Sequence, residues 1–289
     1  MKTYHYQSHA KVNLTLEIIE KLPNGYHKLR TVMMQLPHLF DDVDVVFLDD
    51  RDDIVIRCND SAVPTDEKNI CHKVAKKYFD RTKKHVGMNI VLNKRIPAAA
   101  GMGGGSSNGA YVLLALNDYF DKVLSQEELI DVAASVGKDI PFFFVGSGCA
   151  LIKGMGEIIA EELVPPHEYF LVVNPQIAVS TPWAFCELAK HLWFMADPER
   201  RDRSREMAHV IRSGENIASH LYNDFEIAVF ATHPVIAEVK QTLIAYGATG
   251  ALMSGSGSTV FGIFETETEL HRAKEKIQKH YPQFFVAEG

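Results

Sequence analysis

Cysteine is scarce and scattered. Cys58, Cys71, Cys149 and Cys186 are the only four in 289 residues, and they form no Cys-x-x-Cys pair. That argues against both a disulfide framework and a zinc site, and predicts reduced, mostly buried thiols. Positive charge is not in excess either. The 30 Lys and Arg against 37 Asp and Glu give a net charge of −7 and a pI of about 6.0, which argues against broad electrostatic binding to nucleic acid. No run reaches the ~18 consecutive apolar residues of a membrane span. The richest, Ile140 to Ile152, is broken by Gly146, Ser147 and Gly148. Met1 to Gln7 has no apolar signal core, so the expectation is a cytoplasmic protein with no membrane partner. Repeats of solenoid period are absent. His5 and His9 would share a strand face without a third ligand, and Asp41 to Asp53 lacks the glycine and distal glutamate of a calcium loop. The aspartates there read as the acidic, solvated ends of a strand around Val45–Leu48.

What is abundant is glycine in one place. Pro97-Ala-Ala-Ala-Gly101-Met-Gly103-Gly104-Gly105-Ser106-Ser107-Asn108-Gly109 follows a strand pattern in which Val86, Met88, Ile90 and Leu92 alternate. It precedes a long apolar segment from Ala110 to Phe120, a buried helix opened by Ser106, Ser107 or Asn108 as N-cap. Glycines let the backbone turn its N–H groups inward, and the helix N-terminus adds partial positive charge, so the segment is an anion cradle suited to phosphate. A flexible linker does not fit, because an apolar strand and helix flank it directly. The Walker A pattern fails because no lysine follows the glycines. The dinucleotide and protein-kinase patterns fail because Ser106 stands where a glycine is needed.

Other stretches bear chemistry. In a strand over residues 10–18, Lys11, Asn13, Thr15 and Glu17 share one face and Val12, Leu14, Leu16 and Ile18 the other. Taken alone, the first face is a solvated one. Pro23-Asn-Gly25 is turn chemistry that presents Tyr26 and His27, an aromatic ring and an imidazole able to stack on and hydrogen-bond a base. Asn69 ends the run that starts a helix reaching about Tyr78. Ser125 and Glu128 form a capping box for a helix ending near Gly137. Asp139, directly before Ile140-Pro141-Phe142, reads equally as a helix cap and as a partly enclosed general base. The chain changes character near Pro165-Pro166, which predicts domains over 1–164 and 165–289. Thr181 before Pro182 reads as an N-cap, opening a helix with Trp183 and Phe185. Asp197 to Arg205 reads as a solvated loop or exposed helix.

Taken together, Ala10-Lys11-Val-Asn13-Leu, Asn24-Gly25-Tyr26-His27-x-Leu29, the glycine segment, Gly137-x-Asp139-Ile-Pro141-Phe and Met253-Ser-Gly-Ser-Gly-Ser-Thr259 resemble, in this order, the GHMP kinases. Within them they resemble the branch acting on a cytidine-diphosphate-linked methylerythritol in the non-mevalonate route to isopentenyl diphosphate. Met102 stands where leucine is commoner. The resemblance implies a two-lobed α+β fold, with an N-terminal lobe like the second domain of ribosomal S5 and a ferredoxin-like C-terminal lobe. It implies ATP over Gly101, Met102, Gly103, Gly104, Gly105, Ser106 and Ser107, following Pro97, with the base near Lys94 and Asn69. Lys11 and Asp139 would be catalytic. Asn13 and Thr181 would orient the substrate, whose cytosine would stack between Tyr26 and Phe185 with His27 reading its edge. Magnesium would accompany ATP, with Ser107 as the candidate ligand, in a monomer or homodimer. Another GHMP kinase, and a non-catalytic nucleotide-binding protein on the same fold, remain alternatives. Tyr26, His27 and Phe185 argue against the first, and the presence of both Lys11 and Asp139 argues against the second.

Overall fold

Two strands far longer than usual, β1 (Lys2–Lys21) and β2 (His27–Leu48), organise the computed structural model of the chain, which describes residues 2–191 and 202–289. They are joined by the Pro-Asn-Gly turn, where Gly25 takes φ +83°. Both strands run through the two compact units into which the chain divides. The first unit comprises residues 1–10, 39–98 and 103–146, and the second 11–38, 99–102 and 147–289. The units therefore interleave, whereas a single cut at 164/165 is what the composition predicts. A paired long strand cannot be divided by one point along the chain.

In the first unit, β3 (Ile54–Cys58), α1 (Ile70–Thr82), β4 (Gly87–Asn93), α2 (Gly104–Tyr119) and α3 (Gln126–Val136) follow the strands. The sheet order is β3-β4-β2-β1, with β4 antiparallel to β2 from Asp42–Asn93 to Leu48–Gly87. Val43, Val45 and Phe47 lie on the buried face of β2. Asp41 is in phase with them and equally buried, not at a solvated end, whereas Asp49, Asp50, Asp52 and Asp53 at the far end are exposed as expected. The Ser125–Glu128 capping box is present.

The second unit adds β5 (Cys149–Lys153), β6 (Ile158–Glu162), β7 (Tyr169–Asn174), α4 (Thr181–Leu188), α5 (Arg203–Ser213), β8 (Tyr222–Asn223), α6 (Phe225–Thr232), α7 (Pro234–Ala245), β9 (Gly250–Met253), β10 (Val260–Phe264), α8 (Glu267–His280) and β11 (Phe285–Glu288). β5 pairs with β2, and β8 lies parallel to β1. A separate antiparallel sheet has the order β11-β7-β10-β9. Numbered among themselves these strands read 4-1-3-2, the ferredoxin-like arrangement that the resemblance implies. Val239 and Leu243 of α7 and Ala273 and Ile277 of α8 cover one face of it. The charge-dense Asp197–Arg205 stretch falls largely outside the described residues; its last part opens α5. Among the described residues no helix is long and apolar enough to cross a membrane. Cys71 and Cys149 are buried as expected, with burial pushing both thiols up to about 12, while Cys58 is half-buried and Cys186 exposed.

Candidate active site

In the second unit β1 is buried on both faces. Lys11, Asn13, Thr15 and Glu17 are 3%, 1%, 0% and 0% exposed, so the polar face is not the solvated one that its alternation alone predicts. Buried polar groups must be hydrogen-bonded, and here they are. The Lys11 ammonium donates to Asn13 Oδ1 at 2.7 Å, and Asn13 Nδ2 donates to Thr31 Oγ1 at 2.8 Å. The backbone of the same strand holds the front of the glycine segment: Lys11 N–H donates to Met102 O at 2.9 Å. The turn after β9 is tied in too. Ser254 Oγ donates to Gly101 O at 3.0 Å and accepts from Asn13 N–H at 3.3 Å. Gly101 has φ +78°, and a Cβ there would fall 2.3 Å from Ser254 O, so this approach requires glycine. Asn223 Nδ2 donates to Met253 O and Gly255 O and fixes the same turn. Thr181 begins α4 with Ser180 as its N-cap, one residue earlier than the sequence predicts. Its hydroxyl instead meets Ser256 Oγ at 2.9 Å.

Tyr26 projects from the turn, 57% exposed. The His27 ring lies on Phe185 at 4.4 Å between centroids, and Phe225 meets the other ring edge-on at 4.9 Å. Burial, then the charge of Lys21, lowers the His27 pKa, which favours the neutral imidazole.

In the first unit α2 starts at Gly104, earlier than Ser106, Ser107 or Asn108 as N-cap implies. The cap is Gly103 in a left-handed conformation (φ +68°), with no side-chain hydrogen bond. A serine cap would occupy the first-turn N–H groups with its own oxygen. A glycine leaves those donors to a ligand. Gly105 is exposed, Gly103 and Ser106 are half-buried, and Gly104 is buried.

Behind this turn lies a buried network that the sequence reading does not anticipate. Lys94 Nζ pairs with Asp41 Oδ2 and donates to Asn108 Oδ1 at 3.0 Å. Asn108 Nδ2 donates to Asp41 Oδ2 and Ser8 Oγ. Asp41 Oδ1 accepts the N–H groups of Arg95 and Ile96. The phase of Asp41 with Val43, Val45 and Phe47 is the signal that could have found it. Asn69 is the N-cap of α1: its Oδ1 accepts from Cys71 N–H at 2.8 Å and its Nδ2 donates to Pro64 O at 2.6 Å. Pro97 is half-buried.

Ser107 is fully buried and accepts a hydrogen bond from Ser8 Oγ at 2.7 Å. As it stands it does not fit a magnesium ligand, and among the described residues no cluster of His, Cys, Asp and Glu is arranged to hold a metal. Asp139 precedes a 3-10 turn at Ile140–Phe144 and makes no side-chain cap bond. It holds the N-cap position with Pro141 in the following first turn, as the cap reading has it, but without the side-chain bond of a cap. Ile140 is buried against Gly109 of α2, which ties the segment carrying Asp139 to the helix of the glycine segment.

One unit thus holds a helix opened by a left-handed glycine with no side-chain cap, and the other a buried lysine on a strand tied to the turn after β9. The GHMP kinases N terminal domain matches residues 69–147, and the GHMP kinases C terminal domain matches residues 207–283. By class, then, this is a GHMP kinase. The homoserine kinase of Cytophaga hutchinsonii, 17% identical with a TM-score of 0.76 over 100% of this chain and 94% of its own, bears on the fold alone. Whole-length relatives narrow the class. A 4-diphosphocytidyl-2-C-methyl-D-erythritol kinase of Geobacter metallireducens is 37% identical over 99% of this chain and 98% of its own. A crystal structure of 4-(cytidine 5'-diphospho)-2C-methyl-D-erythritol kinase superposes with a TM-score of 0.80 at 30% identity, covering 99% of this chain and 98% of that one. The chain belongs to the 4-diphosphocytidyl-2-C-methyl-D-erythritol kinase family.

Proposed function

We propose that this kinase transfers the γ-phosphoryl group of ATP to the 2-hydroxyl of 4-(cytidine 5'-diphospho)-2-C-methyl-D-erythritol, giving the 2-phosphate and ADP in the non-mevalonate route. Kinship to the family supports the substrate. The observation that carries the chemistry is Lys11, a buried ammonium held by Asn13 on a strand whose own backbone grips the glycine segment at Met102.

Phosphoryl transfer needs positioning and charge stabilisation more than covalent help. The first-turn N–H groups from Gly104 onward would cradle the phosphates, and Gly101 and Met102 would hold the approach to them. The substrate hydroxyl oxygen attacks the γ-phosphorus, the bond to the ADP oxygen breaks, and Asp139 takes the hydroxyl proton. Lys11 lowers the pKa of that hydroxyl and steadies the negative charge on the transferring group. Lys94 and Asn69 frame the base from within the first unit. Their side chains are engaged by Asp41, Asn108, Cys71 N–H and Pro64 O, so they shape that region more than they reach out of it. Magnesium belongs to this reading as the companion ion of ATP, where it would supply positive charge to the phosphates. Asn13 and Thr181 orient the erythritol, Tyr26 and Phe185 stack the cytosine, and His27 reads its edge.

The test is ATP consumption, with product mass as readout, against a panel of the cytidyl compound, homoserine, mevalonate, phosphomevalonate and galactose. The expected result is one phosphoryl group gained by the cytidyl compound alone. Phosphorylation of a different member would discard the cytosine pocket. Silence across the panel with ATP still bound would point to a non-catalytic nucleotide-binding protein.

A further inference from the structure

The hydrogen bonds around Lys11 have a fixed direction, and one residue given no role in the reaction so far sets it. Thr31 of β2 is fully buried. Its hydroxyl carries one proton, and that proton goes to the carbonyl oxygen of Thr15, which is able only to accept. What Thr31 offers Asn13 at 2.8 Å is therefore a lone pair. Of the two ends of the Asn13 amide, only the NH2 suits a lone pair, so Oδ1 must point the other way, where it meets the Lys11 ammonium at 2.7 Å. Reversing the amide would set NH2 against NH3+ and an oxygen against an oxygen.

Thr15 cannot relax this constraint. Its own hydroxyl accepts from Val32 N–H at 2.9 Å and donates to Ser204 Oγ at 3.0 Å. Ser204 in turn donates to the buried carboxylate of Glu17 at 2.7 Å. Thr31 and Ser204 are thus committed by a carbonyl and a carboxylate that only accept, and Ser204, its proton spent on Glu17, is left to accept from Thr15.

We propose that Thr31 is a positioning residue for phosphoryl transfer: it locks the Asn13 amide with Oδ1 towards Lys11 and so holds the ammonium in place. This rests on the reading of Lys11 as the group that stabilises the transferring phosphoryl. Thr31 itself touches no substrate.

The test separates shape from hydroxyl. Thr31→Val keeps the shape and loses the hydroxyl, while Thr31→Ser keeps the hydroxyl and leaves a methyl-sized hole. The expected result is a kcat lower by about 10- to 100-fold in Thr31→Val, with KM for ATP and for the cytidyl substrate within about 2-fold of the unmutated enzyme. Thr31→Ser should recover most of kcat even though the hole lowers its melting temperature. A merely structural role would make activity follow stability instead. Full kcat in Thr31→Val, or equal losses in both variants, would overturn the proposal. Lys11→Met is assayed alongside. If it is inactive while Thr31→Val is fully active, the positioning role alone fails; if it turns over normally, the reading of Lys11 fails and takes the role with it. The unmutated protein gives an independent measurement that does not depend on a variant folding. In 15N NMR the Nδ2 protons of Asn13 should exchange slowly with solvent, and exchange as fast as that of an exposed amide would equally overturn the lock.

Discussion

The imidazole of His27 lies flat on the ring of Phe185, with centroids 4.4 Å apart and planes within 10°. Phe185 is therefore already covered by a neighbour, and a cytosine stacking on it must share or take over that face. Truncating Phe185 to Ala, or Tyr26 to Ala, should weaken binding of the cytidyl substrate by about 1–3 kcal/mol each, the range for bases on aromatic rings. ATP affinity should not move. Titration calorimetry reads both, and unchanged substrate affinity in the two variants would retire the stacking pocket.

The same cover has a consequence for pH. Burial and the charge of Lys21 hold the His27 pKa below its ordinary 6.5. The folded chain thus resists protonation at this ring more than the unfolded chain does. The stability contributed is present above pH 6.5 and is lost as pH falls towards the lower folded pKa. NMR titration should give a midpoint below 6.5, rising towards it in Phe185→Ala as the ring is uncovered. A midpoint at or above 6.5 in the unmutated protein would contradict the burial argument.

Asp139 sits at the N-cap of its 3-10 turn without a side-chain cap bond, and the proposed reaction gives its carboxylate the hydroxyl proton. Asp139→Asn is expected to abolish phosphorylation of the cytidyl substrate while ATP still binds. Undiminished turnover would remove Asp139 from the mechanism.

Lys94 and Asp41 form a pair whose side chains are 6% and 0% exposed. Asp41→Ala would strand a buried ammonium and should destabilise the protein by about 3–5 kcal/mol in urea unfolding. A loss of no more than about 1 kcal/mol, the size typical of an exposed pair, would mean that water reaches it.

Two glycines with similar backbone angles should respond differently to alanine. Gly25 at φ +83° has nothing within 4 Å of a built Cβ, so Gly25→Ala should cost only the left-handed strain of about 1–2 kcal/mol. Gly101 at φ +78° has Ser254 O in the way, so Gly101→Ala should cost more than that and impair ATP binding too. Equal effects in unfolding and ATP titration would show that the close approach does not matter.

The elements that local pattern specifies were legible in the sequence: the strand before the glycines, the helix after them, and the Ser125 box. Their signals lie within a few residues of one another. The partners of Lys11 were not, because Thr31 and Ser204 are brought to Asn13 and Thr15 by strand pairing and by the docking of α5, which no local spacing encodes. The polar face of β1 shows the limit clearly. Alternation separates Lys11, Asn13, Thr15 and Glu17 from the apolar residues, but period-two patterning does not distinguish a face open to water from one buried against other hydrogen-bonding groups. The start of α2 was misplaced for a related reason: serine is the commoner cap, and glycine serves here because its first-turn donors are left open.

The pairing of Thr15 with Tyr222 and of Leu16 with Asn223, and the bond from Asn13 N–H to Ser254, bear on how the protein is made. These partners follow the strand carrying Lys11 by about 200–240 residues in the order of synthesis. At about 5–20 residues per second, the wait is roughly 10–40 s. Leu16 and Ile18 share a buried cluster with residues of α6, α7 and β9, and stay without that cover until those elements have been made. That interval exposes an apolar strand to aggregation, and a chaperone that holds the β1–β2 hairpin would act on the very strand that carries Lys11.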